Sequence, residues 1–129
     1  MAAPECGTGP YTGAEIEFIL ATTVTGYSAV VAETQRMMSR KCLTAVHTGF
    51  WGCGAFGGNR QLMTLLQLIA ACASGVDLLV FHTGFDGSAC HEAVDMLEGV
   101  LPEAESVRVA ELVSTIDAMG FEWGVSDGN

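Results

Sequence analysis

One stretch constrains this 129-residue chain more than any other: His47-Thr48-Gly49-Phe50-Trp51-Gly52-Cys53-Gly54-Ala55-Phe56-Gly57-Gly58-Asn59-Arg60, with five glycines. An apolar, β-leaning run, Cys42 to Val46, precedes it, and a strongly helical run, Gln61 to Cys72, follows. Strand, glycine-rich loop and helix in that order suit an anion. Glycine lets the backbone come close to a ligand, and the free N–H groups of a helix start attract negative charge. The stretch reads as a phosphate cradle.

The rest of the chain supplies the setting. Residues 1–14, rich in Gly, Pro and Thr, read as an extended tail, as does 120–129. Glu15 to Thr23 begins with period-two alternation and becomes apolar, which predicts a strand. Gly26 breaks it. Ser28 to Lys41 then reads as a helix with Ser28 as N-cap and Val30, Val31, Thr34, Met37 and Met38 as its core stripe. Cys42 to Val46 is a second strand. A buried helix runs from Asn59 or Arg60 to Ala73, with Leu62, Leu65, Leu66 and Ile69 on one face, Met63, Leu68 and Cys72 on the other, and Gly75 as its stop. Val76 to Phe81 reads as a central parallel strand, and Thr83 to Gly87 as the loop leaving it. Ser88 to Glu98 and Glu105 to Met119 complete the helices, the last with Val109, Leu112, Val113 and Ile116 inward, and Pro102 breaks the chain between them. Alternating strands and helices predict a single α/β domain with a mostly parallel sheet flanked by helices. Ligands in such sheets sit beyond the strands' C-terminal ends, where loops 48–58 and 83–87 should lie side by side.

Charge limits the partners. The net charge is −10. Residues 1–76 hold four acids and four bases, whereas 77–129 hold eleven acids and one base, Arg108. Duplex nucleic acid is excluded, since such binding rests on many cationic contacts to phosphate. The acidic half reads as solvated surface, and an anion belongs in the neutral half. The longest apolar stretch, Leu62 to Ala73, is too short to cross a bilayer, so no membrane insertion is expected. No secretory pattern opens the chain, and its five cysteines are odd in number. Reduced thiols in an intracellular setting, cytoplasmic or nuclear, are expected.

Several chemistries compete for the same residues. Gly52 to Gly57 fits G-x-G-x-x-G, with Asp77 about twenty residues on. However, Thr48 to Trp51 separates the strand from the first motif glycine, and Asp77 opens its strand where a ribose-binding acid would end one. His47, Cys53, His82, Cys90 and His91 lack the paired spacing of a zinc site, so neither metal nor cofactor is expected. The scattered cysteines read as small apolar fillers; the alternative for Cys53, beside a helix start and with His47 or His82 near, is a lowered thiol pKa and a nucleophile, which nothing in the spacing requires. His47 and His82 read either as neutral donors to a phosphate or ribose, or as hydrogen-bonded structural residues. Among the loop aromatics Phe50, Trp51, Phe56 and Phe85, Trp51 should pack inward and Phe56 should meet a ligand.

Trp51-Gly52-Cys53-Gly54-Ala55-Phe56-Gly57-Gly58, with Thr48-Gly49 before it, resembles the signature loop of poly(ADP-ribose) glycohydrolases, a branch of the macrodomain fold. The resemblance continues through Gln67, Leu68 and the Ala70-Ala71 pair, Asp77-Leu78-Leu79-Val80-Phe81 and Gly84, and back to Tyr11-Thr12-Gly13 with Glu15. It implies that Gly52, Cys53, Gly54, Ala55, Phe56 and Gly57 bind the diphosphate of ADP-ribose, with Thr83 and Gly84 closing the site on the adenosine side. The sequence departs from the pattern. Phe50 stands for an asparagine, Asn59 for an aspartate and Thr83 for an aromatic. The family's three glycines followed by Gln-Glu-Glu, whose second glutamate is the proton donor, are not found in it. Glycoside cleavage needs a positioned carboxylic acid, and Glu15 and Glu17 are only weak candidates. The resemblance therefore implies a partial macrodomain, like the C-terminal half of the catalytic domain, that binds ADP-ribose or poly(ADP-ribose) without efficient catalysis, a pseudoenzyme. The alternatives are a divergent or partner-completed glycohydrolase, and a structural subunit that keeps only the fold. Exposed sheet edges would gain from a homo-oligomer or a larger complex.

Overall fold

The computed structural model describes residues 6–38, 42–101 and 106–126. Helix α1, Gly13–Met37, is 25 residues long. It overturns two expectations, for the expected strand Glu15–Thr23 and the expected helix Ser28–Lys41, as far as Met37, are one helix with Gly26 inside it, and residues 39–41 lie outside the described residues. A capping box starts it: the Thr12 hydroxyl accepts from the Glu15 N–H, and the Glu15 carboxylate accepts from the Thr12 N–H at 2.7 Å. Its buried residues, Ile16, Ile19, Leu20, Thr23 and Tyr27, form one helical face. The alternation that suggests a strand places Phe18 in solvent, 64% exposed. Thr23 and Thr25 return their hydroxyls to the carbonyls of Ile19 and Ala21 at 2.8 and 2.7 Å, so β-branched residues are accommodated. Gly26 costs about 1 kcal/mol relative to alanine, less than the roughly 1.5–3 kcal/mol from each large apolar side chain buried. By length and composition α1 would also pass for a membrane span, with hydropathy 1.2. Beyond Tyr27 its outer turns bury nothing. Met37 and Met38, expected in the core, are exposed, and Ser28 is no cap but donates to Ser74 of the next helix at 3.2 Å.

Strand β1, Ala45–Gly49, starts later than expected and takes His47, Thr48 and Gly49 from the predicted loop. Helix α2, Arg60–Ser74, matches the sequence reading at both ends. The Asn59 side chain accepts from Leu62 N–H, and Gly75 closes the helix in the left-handed region. Leu62, Met63, Leu65, Leu66 and Ala70 have no exposure, so α2 forms the centre of the core, although Cys72 is exposed. Strand β2, Leu78–His82, pairs parallel to β1 from Ala45↔Leu78 to Gly49↔His82. The macrodomain-like α/β class stands in partial form. Among the described residues the sheet has two strands, so β2 is not central.

Helix α3, Ser88–Val100, packs on α2, and helix α4, Val109–Asp117, packs on α1. Leu112, Val113 and Ile116 are inward as expected, whereas Val109 is exposed. Glu105 and Pro102 lie outside the described residues. The segments 6–12 and 120–126 run against each other. Tyr11 N–H donates to the Phe121 carbonyl at 2.9 Å, Trp123 N–H to the Gly9 carbonyl at 2.8 Å, and the Tyr11 and Trp123 rings stack 4.2 Å apart.

Candidate functional site

The parallel register sets Gly49 opposite His82. The loops after β1 and β2 therefore leave the sheet from adjacent points, as expected. The root of the first is held by Gln67, a buried residue of α2. Its Nε2 donates to the carbonyls of Gly49 and Met63 at 3.1 and 3.0 Å, and its Oε1 accepts from the hydroxyls of Tyr27 and Thr48. All four hydrogen-bonding positions of the amide are used. Beyond Gly49 the chain turns at once, with Trp51 N–H on the Gly49 carbonyl at 2.8 Å.

The loop closes on itself through Cys53 N–H to Phe50 O, Gly57 N–H to Gly54 O and Gly58 N–H to Gly52 O, at 3.1, 2.9 and 2.9 Å. The paired glycines have separate reasons. Gly57 has φ +63, and a Cβ there would meet the Gly124 carbonyl oxygen at 2.9 Å. A Cβ on Gly58 would sit 2.7 Å from the Gly52 carbonyl oxygen. Among the described residues, no acceptor faces the amides of Gly52, Gly54, Ala55 and Phe56. The loop thus presents four backbone donors within five residues, the kind of surface that binds an anion.

Side chains fix this arrangement from below. Trp51 and Cys53 pack against the core. Burial pushes the Cys53 thiol up to about 12, partly offset by the Arg60 charge. That removes the nucleophile reading, because a buried thiol resists ionisation. Phe50 meets Phe81 edge-on at 5.3 Å, and the Arg60 guanidinium lies 4.9 Å from the Phe50 ring centre. Arg60 places a cation at the end of the loop, a role the sequence reading did not assign. Phe56 is 42% exposed beside these amides. In the second loop Thr83 is half-buried, Gly84 is exposed with φ +69, Phe85 is wholly exposed, and Asp86 accepts from Ser88 N–H at 2.9 Å.

The other candidates fall elsewhere. His47 Nδ1 and His82 Nε2 are 3.0 Å apart on the exposed sheet face, so each histidine partners the other. Asp77 accepts from Thr44 N–H at 2.8 Å at the opposite end of the strands, which removes the dinucleotide reading. Glu15 is held in the capping box. Backbone and side-chain hydrogen bonds from Thr12, with a further one from Trp123, keep its carboxyl below the ordinary carboxylate value. That is the wrong direction for a general acid. Glu17 lines an apolar cavity of about 690 Å³ with Leu20, Val24, Ile69 and Leu112, away from both loops. Among the described residues no three His, Cys, Asp or Glu side chains gather as metal ligands.

The glycine loop thus opens between the first strand and the buried helix of a parallel βαβ unit, an α/β arrangement. The model of the poly(ADP-ribose) glycohydrolase family, macro domain fold, matches residues 11–91, well over half of the chain. The chain belongs to that family. It is 36% identical over 75 residues to poly(ADP-ribose) glycohydrolase 2 of Caenorhabditis elegans, covering 58% of this chain and 15% of that protein. It is 45% identical over 38 residues to a protein named probable poly(ADP-ribose) glycohydrolase 2 of Arabidopsis thaliana, covering 30% of this chain and 7% of that one. The chain therefore matches only a small part of the length of these relatives.

Proposed function

We propose that this chain is an ADP-ribose-binding module of glycohydrolase type, without efficient catalysis of its own. The observation that carries the reading is the run of amides at Gly52, Gly54, Ala55 and Phe56 that meet no acceptor among the described residues. They lie within the stretch matched to the family, whose relatives are named for hydrolysing poly(ADP-ribose). Backbone donors bind a diphosphate without a carboxylate, whereas cleavage of the glycosidic bond needs an acid with a raised pKa. Glu15 is committed to helix capping with its pKa lowered, which supports binding over cleavage.

Calorimetry with ADP-ribose tests the reading. Saturable heat is expected, together with a rise in melting temperature. Gly54→Val should abolish binding without unfolding the chain, because a branched side chain beside the amides blocks approach of the phosphates. Unchanged affinity in Gly54→Val, or no heat with the unmodified chain, refutes the cradle. Release of ADP-ribose from the polymer by the chain alone would overturn the claim of weak catalysis.

A further inference from the structure

The segment that follows α4 returns to the glycine loop. Gly124 N–H donates to the Gly57 carbonyl at 2.7 Å, and the Ser126 hydroxyl donates to the Ala55 carbonyl at 2.6 Å. Asn59 ties the same segment down from the other side: its Oδ1 caps α2, while its Nδ2 donates to the Glu122 carbonyl at 3.0 Å. An aspartate would cap equally well but has no N–H for Glu122.

The bond from Ser126 has a consequence for the amides. The described peptide bonds are all trans, so the C=O and N–H of one peptide unit point in opposite directions. The carbonyl of Ala55 and the N–H of Phe56 belong to one unit. Holding that carbonyl toward Ser126 turns the Phe56 N–H away from the 124–126 segment, and among the described residues it meets no acceptor there. Without the hydroxyl, this unit would be free to rotate in a loop built largely of glycine, and the Phe56 donor would lose its fixed direction.

We propose that Ser126 is a positioning residue for the diphosphate site: it orients the Phe56 amide toward the ligand without touching the ligand itself. The inference rests on the ADP-ribose reading and extends the site beyond residues 11–91, the stretch matched to the family. It is read on the full chain by titrating ADP-ribose into the unmodified protein, Ser126→Ala and Ser126→Thr, by calorimetry and by following the Phe56 and Gly52 amides in nitrogen–proton spectra. Ser126→Ala should weaken binding about fivefold, the effect of roughly one hydrogen bond. Ser126→Thr, which keeps the hydroxyl, should restore it. In Ser126→Ala the ligand-induced shift of the Phe56 amide should shrink while that of Gly52 persists, a contrast that general loosening of the fold would not produce. Equal affinity of Ser126→Ala and the unmodified chain overturns the role of Ser126 and leaves the cradle standing. So does a Ser126→Thr variant as weak as Ser126→Ala. No response from the unmodified chain overturns both readings together.

Discussion

Replacing Gln67 by leucine tests the root of the loop. Gln67 is 1% exposed, and leucine fills much of its volume, so the change is chiefly one of hydrogen bonding. The Gly49 carbonyl keeps a partner in Trp51 N–H, at 2.8 Å. The Met63 carbonyl keeps its helical one. The hydroxyls of Tyr27 and Thr48 both lose their acceptor. A buried donor left unsatisfied costs about 1–3 kcal/mol. Taking the lower half of that range for hydroxyls that can rotate, Gln67→Leu should destabilise the chain by about 2–4 kcal/mol. Tyr27→Phe should cost only about 1 kcal/mol, because Gln67 Oε1 still accepts from Thr48. The double variant should cost less than the sum of the two, since the orphaned tyrosine hydroxyl is then gone. Urea unfolding, with an unchanged slope, reads all three. A Gln67→Leu variant within 0.5 kcal/mol of the unmodified protein, or strict additivity with Tyr27→Phe, would refute the reasoning that Gln67 satisfies these hydroxyls.

Three other outcomes follow from single groups. Gly57→Ala should lower stability by more than Gly9→Ala in thermal unfolding: both have positive φ, but a Cβ on Gly57 would meet the Gly124 carbonyl and the Ser126 backbone nitrogen, whereas a Cβ on Gly9 would meet nothing within 4 Å; equal losses would contradict the contact. Hydrogen bonds from Thr12 hold the Glu15 carboxyl below its ordinary value, so its contribution is present above that ordinary value and lost as pH falls through the lower, folded one. Glu15→Gln should therefore flatten the acid limb of the stability profile below pH 4.5, and an unaltered limb would count against the capping box. In a thiol-reagent assay at mildly alkaline pH the exposed Cys6 and Cys72 should label first, and Cys53, with its thiol pushed up to about 12, only on unfolding; fast labelling of Cys53 in the folded chain would contradict its burial.

The parts legible in the sequence are those written in neighbouring residues. Asn59 and Gly75 mark the two ends of α2 by local capping chemistry, and both do so in the structure. The crowding of glycine between Gly49 and Gly58 announces a loop that must approach something closely, and a Cβ on three of them, Gly49, Gly57 and Gly58, would meet backbone oxygen at 3.0 Å or less. Helix α1 was not legible in the same way. Alternating Glu15, Ile16, Glu17 and Phe18 satisfies a strand pattern over a few residues, and the helical face emerges only when Ile16, Leu20, Thr23 and Tyr27 are seen packing on α2. The signal that favours a helix was present as Thr12 and Glu15, three apart, but it lies in a glycine- and proline-rich stretch that suggests a tail. The outer end of α1 shows the converse failure. Its apolar stripe is at helical spacing, yet Met37 and Met38 remain exposed among the described residues.

The candidate site divides along the same line. The donors belong to consecutive residues, whereas the groups that aim them come from far away in sequence. Ser126 lies 71 residues from Ala55, and Gln67 joins Tyr27 across 40. No spacing rule links such pairs, because they are created by the packing of whole elements. Their effect is nevertheless specific. Of the four free amides, three belong to peptide units whose carbonyls are already held. The Trp51 carbonyl is held by the Cys53 thiol, the Gly54 carbonyl by Gly57 N–H and the Ala55 carbonyl by Ser126. A glycine-rich loop that had to order itself around a ligand would lose backbone entropy of about 1–2 kcal/mol for each residue fixed. Here the opposite ends of those units are tied within the protein, so that ordering precedes the ligand. Gly54 is the exception: among the described residues, no donor meets the Cys53 carbonyl. Under the proposed binding of ADP-ribose, the unit between Cys53 and Gly54 is thus the one that the ligand would have to orient itself.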